Sequence, residues 1–239
     1  MHSQTKSPLK SRPAPGRPLA SSDRDARELL LTAATELFAS QGVAATTFAM
    51  IAQRAGLTPA MLHYYFNDRD QLLDAVVDER LVRVISRVWE PVQSGDDAAE
   101  TVRGIVARLL DGIEQMPWIP STWMREVLNE GGLLREKILR RLPFEKVQSV
   151  AVAVAQGQSK NGYNPDLDPT LFIFSMLGLV MLHMATLSFW AGIFHRKPPN
   201  KAAVQRHITG LLLDGLCHPP AAKPAKASGK KKRSTRQLV

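Results

Sequence analysis

The stretch from Thr46 to Tyr65 constrains the fold more than any other part of the sequence, because it predicts two short helices joined by a tight turn. Apolar residues at Phe48, Ile51 and Ala55 recur at helical spacing and give a short helix one apolar face. Gly56 follows the last of them, and glycine adopts the left-handed backbone that ends many helices without steric cost. We therefore expect the first short helix to end here.

A second helix is predicted directly after this turn. Thr58 can cap it through its hydroxyl, and Pro59 fits the first turn, where a backbone N–H would have no partner. Leu62 and Phe66 form its buried side. Two short helices joined by a glycine-containing turn are typical of the helix-turn-helix motif, whose second helix enters the major groove of DNA.

The net charge of +9 belongs to the two ends of the chain. Residues 1–22 carry +4 and residues 219–239 carry +7, so the region between them has a charge of −2. The high isoelectric point is therefore no independent sign that the folded part binds nucleic acid. Both ends are predicted to be disordered basic segments; the C-terminal one either adds sequence-independent attraction to phosphates or only increases solubility.

Periodic apolar positions predict helices throughout the region between these ends, with no alternating pattern long enough for a strand. The expected fold is all-α with about nine helices. It divides into a helix-turn-helix domain over residues 23–70 and a helical domain over residues 71–218. The first helix of the second domain, residues 71–90, links the two. Capped helix starts are predicted at Ser22, Asp68, Asp97 and Asp168.

Residues 170–194 contain no charged residue and are long enough to cross a bilayer. Polar and small residues interrupt the stretch, and it stands alone in the sequence. A helix that is apolar on all sides also suits a protein dimer, with one side in its own core and the other against a partner. We favour the dimer helix over a membrane anchor, and no membrane partner is expected.

The sequence carries no pattern typical of an enzyme. It has no Gly-rich phosphate loop or nucleophile motif, and its histidines and single Cys217 do not fall at metal-ligand spacing. No catalytic residue, metal site or cofactor is therefore predicted. Two alternatives to a DNA-binding regulator stay open: an all-α binding protein or enzyme without DNA binding, and a regulator anchored in a membrane through residues 170–194.

Residues 24–90 resemble the TetR family of bacterial transcriptional regulators. The resemblance rests on two segments, ELFASQGVAATT and IAQRAGLTPAMLHYYFNDRDQLL. It implies a cytoplasmic homodimer, associated with the nucleoid when bound, that binds a palindromic operator, usually as a repressor. A small-molecule effector in the C-terminal domain would release it. That domain resembles the family in helix number and order and in its apolar penultimate helix, so dimerisation is expected through the last two helices, about residues 169–216.

Carried onto matching positions, the resemblance implies which residues contact DNA. Thr47 looks like a phosphate contact, and Arg69 would clamp a phosphate at the start of the linking helix. Tyr64 and Tyr65 look like phosphate or sugar contacts, although one of two adjacent residues on a helix usually faces inward. The remaining predicted DNA-binding residues, which cap the second helix, read bases or line the groove, are Thr58, Pro59, Ala60, Met61 and His63.

The expected mechanism couples the two domains through the linking helix. An effector that favours one tilt of this helix would change the spacing of the two recognition helices, which DNA fixes near one helical turn, about 34–36 Å. Arg125 is expected to pair either with an anionic effector or with Glu126 or Glu130. The residues predicted to line the effector pocket are Trp118, Trp123, Met124, Arg125, Met176, His183 and Trp190.

Overall fold

The computed structural model describes residues 20–160 and 162–217, with side chains from residue 24 onward. These residues form ten helices and no strand, which confirms the all-α fold. Helix α1 begins at Ala20, so the predicted start at Ser22 is wrong by one half-turn and residues 20–22 are helical. The rest of the predicted basic arm and the predicted C-terminal basic tail lie outside the described residues.

Local caps set the N-terminal helices in place. The bounds are α1 Ala20–Gln41, α2 Phe48–Arg54 and α3 Pro59–Tyr65. The hydroxyls of Thr47 and Thr58 each accept a hydrogen bond at 3.3 Å from the backbone N–H three residues on. Gly56 has a φ of +69°, so the turn between α2 and α3 adopts the predicted left-handed conformation.

The linking helix α4 runs from Arg69 to Trp89 and is irregular in its middle. Asp68 caps it by accepting a hydrogen bond from the N–H of Gln71 at 2.8 Å. Its three parts are Arg69–Val76, a π-helical turn at Val77–Leu81, and Val82–Trp89. The π-helical turn was not predicted, because the apolar positions continue through it at nearly helical spacing.

Six further helices complete the described fold. Their bounds are α5 Ala98–Gln115, α6 Ile119–Thr122 extended by a π-helical turn at Trp123–Val127, α7 Arg135–Leu139, α8 Phe144–Ser159, α9 Pro169–Ile193 and α10 Lys201–Cys217. Helix α5 lies at the centre of this domain and contacts α4, α8, α9 and α10. Asp97 caps α5 and Asp168 caps α9, as predicted.

Two ion pairs fix α1 to the π-helical turn of α4. The guanidinium of Arg27 donates to both carboxylate oxygens of Glu79, at 2.5 and 2.6 Å. The nearly buried Arg80 donates to Glu28 at 2.7 Å. The bidentate pair of Arg27 and Glu79 fixes the orientation of the two side chains as well as their distance. Helix α1 is therefore attached to the middle of α4 by these two ion pairs.

Helix α9 is apolar both on the side that enters the core and on the side that faces solvent. Phe172, Met176 and Val180 are buried. Other large apolar residues are exposed, among them Leu171 and Phe189. Of the helices in the described residues, α9 alone is long and apolar enough to cross a membrane by length and composition. Of its most apolar 18-residue stretch, 28% is buried inside the protein.

Candidate nucleic-acid interface and ligand cavity

Helix α3 is anchored by one side and open on the other. Leu62 is fully buried beneath it, while Pro59, Ala60 and His63 are exposed. Tyr64 is 73% exposed, which is unusual for so large an aromatic side chain. The small first-turn residues therefore leave the start of the helix accessible, and the aromatic groups stand at its end.

The residues at the edges of this surface are partly held by packing. Met61 and Tyr65 are half-buried, and Tyr65 packs against the core. The rings of Tyr64 and Tyr65 meet edge to face, with centroids 5.1 Å apart. The imidazole of His63 lies 5.1 Å from the ring of Phe48 on α2, so its direction is set by the neighbouring helix.

Thr47, Thr58 and Arg69 all have partners inside the protein. The two threonine hydroxyls accept cap hydrogen bonds, and each retains an O–H that can donate outward. Arg69 is half-buried, and its guanidinium donates to the backbone carbonyl of Val43 in the loop between α1 and α2. Arg69 therefore joins α4 to that loop, and its predicted phosphate contact stays a prediction.

These features define a helix-turn-helix DNA-binding protein. They are a short helix held by one buried leucine, a glycine turn of positive φ, and a preceding helix packed against the short one. Residues 30–76 match the family model described as "Bacterial regulatory proteins, tetR family". The N-terminal part of the chain therefore matches the DNA-binding region of the TetR family of transcriptional regulators. Members bind DNA operators and small-molecule effectors, usually as dimers, and are soluble cytoplasmic proteins.

Similarity to curated relatives and to solved structures extends over most of the chain. The transcriptional repressor KstR2 of Rhodococcus jostii is 23% identical over 81% of this chain and 92% of its own length. The transcriptional regulator SrpR of Pseudomonas putida is 26% identical over 77% of this chain and 92% of its own. The ketosteroid transcriptional regulator KstR2 of Mycobacterium tuberculosis has the same fold, with a TM-score of 0.64, 20% identity and coverage of 80% of this chain and 95% of that one. These relatives are regulators of transcription and not enzymes.

A cavity of about 700 Å³ lies among α4 to α9. Its volume falls within the roughly 300–1,000 Å³ of sites for small molecules. Both π-helical turns contribute to its wall, through Leu81 of α4 and Trp123 of α6. Such turns are frequent at functional sites. Apart from Thr122, Arg135 and Gly178, all the residues that line the cavity are apolar.

Two of the seven residues predicted for the effector pocket, Trp123 and Met124, line this cavity. The other five lie elsewhere in the structure: Trp118, Arg125, Met176, His183 and Trp190. Met176 is fully buried in the core, and Trp190 is half-exposed near the end of α9. The ring of His183 lies 5.6 Å from that of His207 on α10, away from the cavity lining.

The two polar side chains of the cavity have no partners within the described residues. Thr122 is buried, and its hydroxyl makes no hydrogen bond. Arg135 is half-buried, and no carboxylate among the described residues pairs with its guanidinium. Sequence reasoning missed both, because neither residue type nor spacing sets them apart from other polar residues of the domain.

The π-helical turn of α6 is bonded directly to the end of α1 and to the loop between α1 and α2. Glu126 is 5% exposed, and its carboxylate accepts hydrogen bonds from the N–H of Val43 at 2.8 Å and of Leu133 at 3.1 Å. Arg125 donates to the carbonyl of Ser40 at 3.0 Å. The ion pair with Glu126 or Glu130, one of the two alternatives expected for Arg125, is therefore wrong, because Arg125 donates to Ser40 and Glu126 accepts from the N–H groups of Val43 and Leu133.

Helix α7 and the residues just after it are connected to α4 by charges. Lys137 lies 2.8 Å from Asp70 and 2.9 Å from Asp74. Arg141 pairs with Asp74 at 3.2 Å and also with Asp78. The hydrogen bond from Lys137, and then the charges of Lys137 and Arg141, hold the pKa of the Asp74 carboxyl below its ordinary value. These groups connect one wall of the cavity to the linking helix.

Proposed function

We propose that the chain is an effector-responsive repressor that binds a palindromic operator as a homodimer. The observation that carries the proposal is that the cavity wall and the supports of the DNA-binding helices belong to the same two helices, α4 and α6. The description of the Rhodococcus relative as a repressor supports the sign of regulation. The division into a DNA-binding domain over residues 23–70 and an effector domain over residues 71–218 is part of the proposal.

In the proposed complex, the exposed start of α3 enters the major groove. Pro59, Ala60 and Met61 line the groove, and His63 reads a base edge or donates to a phosphate. Tyr64 contacts the backbone. The other proposed contacts to phosphate or sugar are those of Thr47, Thr58, Tyr65 and Arg69, and the last of these would need to keep or exchange its bond to the α1–α2 loop.

The proposed dimer forms through α9 and α10. Exposed apolar side chains on these helices, such as Leu171, Phe189 and Leu211, would be covered by the second copy. The other side of α9 packs in the protein's own core through Phe172, Met176 and Val180, and this supports a dimer helix over a membrane span. Sedimentation without detergent tests this: we expect a dimer for the wild type and a monomer for Phe189→Glu, and failure to remain soluble would instead support membrane attachment.

The proposed release mechanism has two routes from the cavity to the DNA-binding helices. One runs along α4, whose π-helical turn lines the cavity through Leu81 and is fixed to α1 by Glu79. The other runs through α6, where Trp123 lines the cavity and Glu126 holds Val43. An occupant that repositions either wall changes the orientation of α3, and DNA binding is lost when the two α3 helices of the dimer no longer match the groove spacing.

A gel-shift assay on the DNA flanking the gene tests the DNA-binding part. We expect wild-type protein to shift this DNA at low salt, and His63→Ala and Tyr64→Ala each to weaken binding by about tenfold, the effect of one lost contact. Gln156→Ala is the control, because this exposed residue lies on α8. Absence of a shift with wild type, or equal binding by all variants, would contradict the proposal.

The basic segment 219–239 is a separate hypothesis, outside the described residues. Its seven positive charges are expected to add sequence-independent attraction to phosphates. Deletion of this segment should then reduce the dependence of operator affinity on salt. An unchanged dependence would leave it with a solubilising role.

A further inference from the structure

We infer that the occupant of the cavity is a large apolar molecule with a single carboxylate, which Arg135 binds. The inference rests on the proposed function, because it names the ligand class of the same cavity. It concerns the chemistry of the occupant. DNA binding by the empty protein does not depend on that chemistry.

The apolar body follows from the lining of the cavity. Aliphatic and aromatic side chains from six helices cover nearly all of its wall. A sugar, nucleotide or amino acid would leave its polar groups without hydrogen bonds against such a wall, and this is costly. An apolar molecule gains free energy by moving from water into the same space. At about 700 Å³, the cavity has room for a chain or ring system of drug-like size.

The negative charge follows from the pairing of cations around α7. Lys137 and Arg141 are paired with carboxylates of α4, and Arg140 pairs with Glu136 at 2.9 Å. Arg135, the member of this group that lines the cavity, is left without a carboxylate in the described residues. The lining contains no acidic residue that would attract a cationic ligand. A guanidinium suits a carboxylate because it offers two parallel N–H donors.

Thr122 lies in the cavity lining, but its hydroxyl oxygen is buried away from the space that a ligand would fill. The ligand class therefore covers both an acyl chain and a polycyclic acid, which share an apolar body and a carboxylate.

The position of Arg135 also gives the ligand an effect on DNA binding. Arg135 and Lys137 lie on the same short helix, and Lys137 is bonded to Asp70 and Asp74 in the first turns of α4. A carboxylate that draws Arg135 toward the cavity therefore acts on the helix that carries the DNA-binding unit. An alcohol of the same shape would fill the cavity without the electrostatic attraction to Arg135.

Tryptophan fluorescence can test the inference, because Trp89 and Trp123 both line the cavity. The probes are decanoate and 1-decanol, and lithocholate with the alcohol made by reducing its carboxylate. Each acid is expected to bind about tenfold more tightly than its alcohol, as one charge-assisted contact requires. Arg135→Gln should remove this preference. Arg140→Gln, the matched control at an exposed position outside the cavity, should retain it.

The outcomes separate the ligand class from the DNA-binding function. Equal affinity for acid and alcohol in the wild type would overturn the anionic site, and failure of all four probes to bind would overturn the apolar class. Tighter binding of lithocholate than of decanoate would support a polycyclic occupant, and the reverse order would support an acyl chain. A failed operator shift by ligand-free protein would contradict the proposed function and leave these binding results unaffected.

Discussion

Replacing Glu126 by alanine should uncouple α6 from the DNA-binding helices and destabilise the protein. Its carboxylate is 5% exposed and accepts two backbone N–H groups, those of Val43 and Leu133. Each lost hydrogen bond to a charged acceptor costs about 1.5–3 kcal/mol when the donor stays buried. Removal of the carboxylate also removes its own desolvation cost, which offsets part of this loss. We expect a net loss of about 2–4 kcal/mol in the free energy of unfolding.

Thermal unfolding followed by far-UV circular dichroism measures this loss. In a chain of this size, about 2–4 kcal/mol corresponds to a fall in Tm of about 5–15 °C. Glu126→Gln keeps one acceptor oxygen but places its NH₂ against the second donor, so we expect about half of the loss. Glu130→Ala is the matched control, because this neighbouring glutamate is exposed, and its Tm should stay within about 2 °C of the wild type.

Amide hydrogen exchange separates the proposed contact from a general loss of stability. Val43 and Leu133 should lose protection in Glu126→Ala under conditions where the rest of the core stays protected. A Tm indistinguishable from that of Glu130→Ala would refute the assignment of these two hydrogen bonds. Unchanged protection of the Val43 amide would refute the connection between α6 and the α1–α2 loop, even if the protein were destabilised.

Three further changes have defined outcomes. Tyr163→Phe removes the 2.7 Å hydrogen bond to Asp97 that lowers the pKa of this carboxyl, so the pKa should rise toward its ordinary value in an NMR titration. The free energy of unfolding should fall by about 0.5–1 kcal/mol, measured by chemical denaturation. The pKa of Asp74 is lowered chiefly by Lys137, so the ionised Asp74 carboxylate stabilises the folded protein above the unfolded pKa near 4, and this stabilisation is lost as pH falls through the folded value. Lys137→Met should therefore make acid unfolding at this site less steep, measured by circular dichroism against pH. Gly132→Ala would place a Cβ 2.0 Å from a backbone carbonyl oxygen of α6, so Tm should fall by several degrees, and an unchanged Tm would contradict this close approach.

The helix-turn-helix could be predicted because its determinants are local. Thr47, Thr58 and Asp68 each cap a helix by bonding an N–H three residues further on, and Gly56 takes up a positive φ where the periodic pattern stops. Interactions of this range leave a direct pattern in the sequence. The family resemblance in this region, which the family model also covers, rests on the same residues.

The ligand cavity could not be predicted in the same way, because its residues are brought together by packing between distant helices. Arg125 and Arg135 are both arginines in a polar part of the chain, yet only Arg135 lines the cavity. Arg125 instead bonds to Ser40, 85 residues away in sequence. Met176 and Trp190 have the expected chemistry for a pocket, but the rotation of α9 places one in the core and the other at the surface. No periodicity distinguishes these cases.

The π-helical turn at Val77–Leu81 makes the length of α4 as important as its composition. A π turn contains one residue more than an α-helical turn for the same advance. It therefore changes which side chains of the following part of α4 face the cavity. If the same residues formed a regular α-helix instead, everything downstream would be rotated by about 100°. Val84 and Val88 would then point away from the cavity that they now line. A one-codon deletion in this turn would remove the extra residue and keep Val84 and Val88 facing the cavity, whereas the same deletion in the regular helix just beyond it would change which side chains line the cavity and leave the surface of α3 untouched.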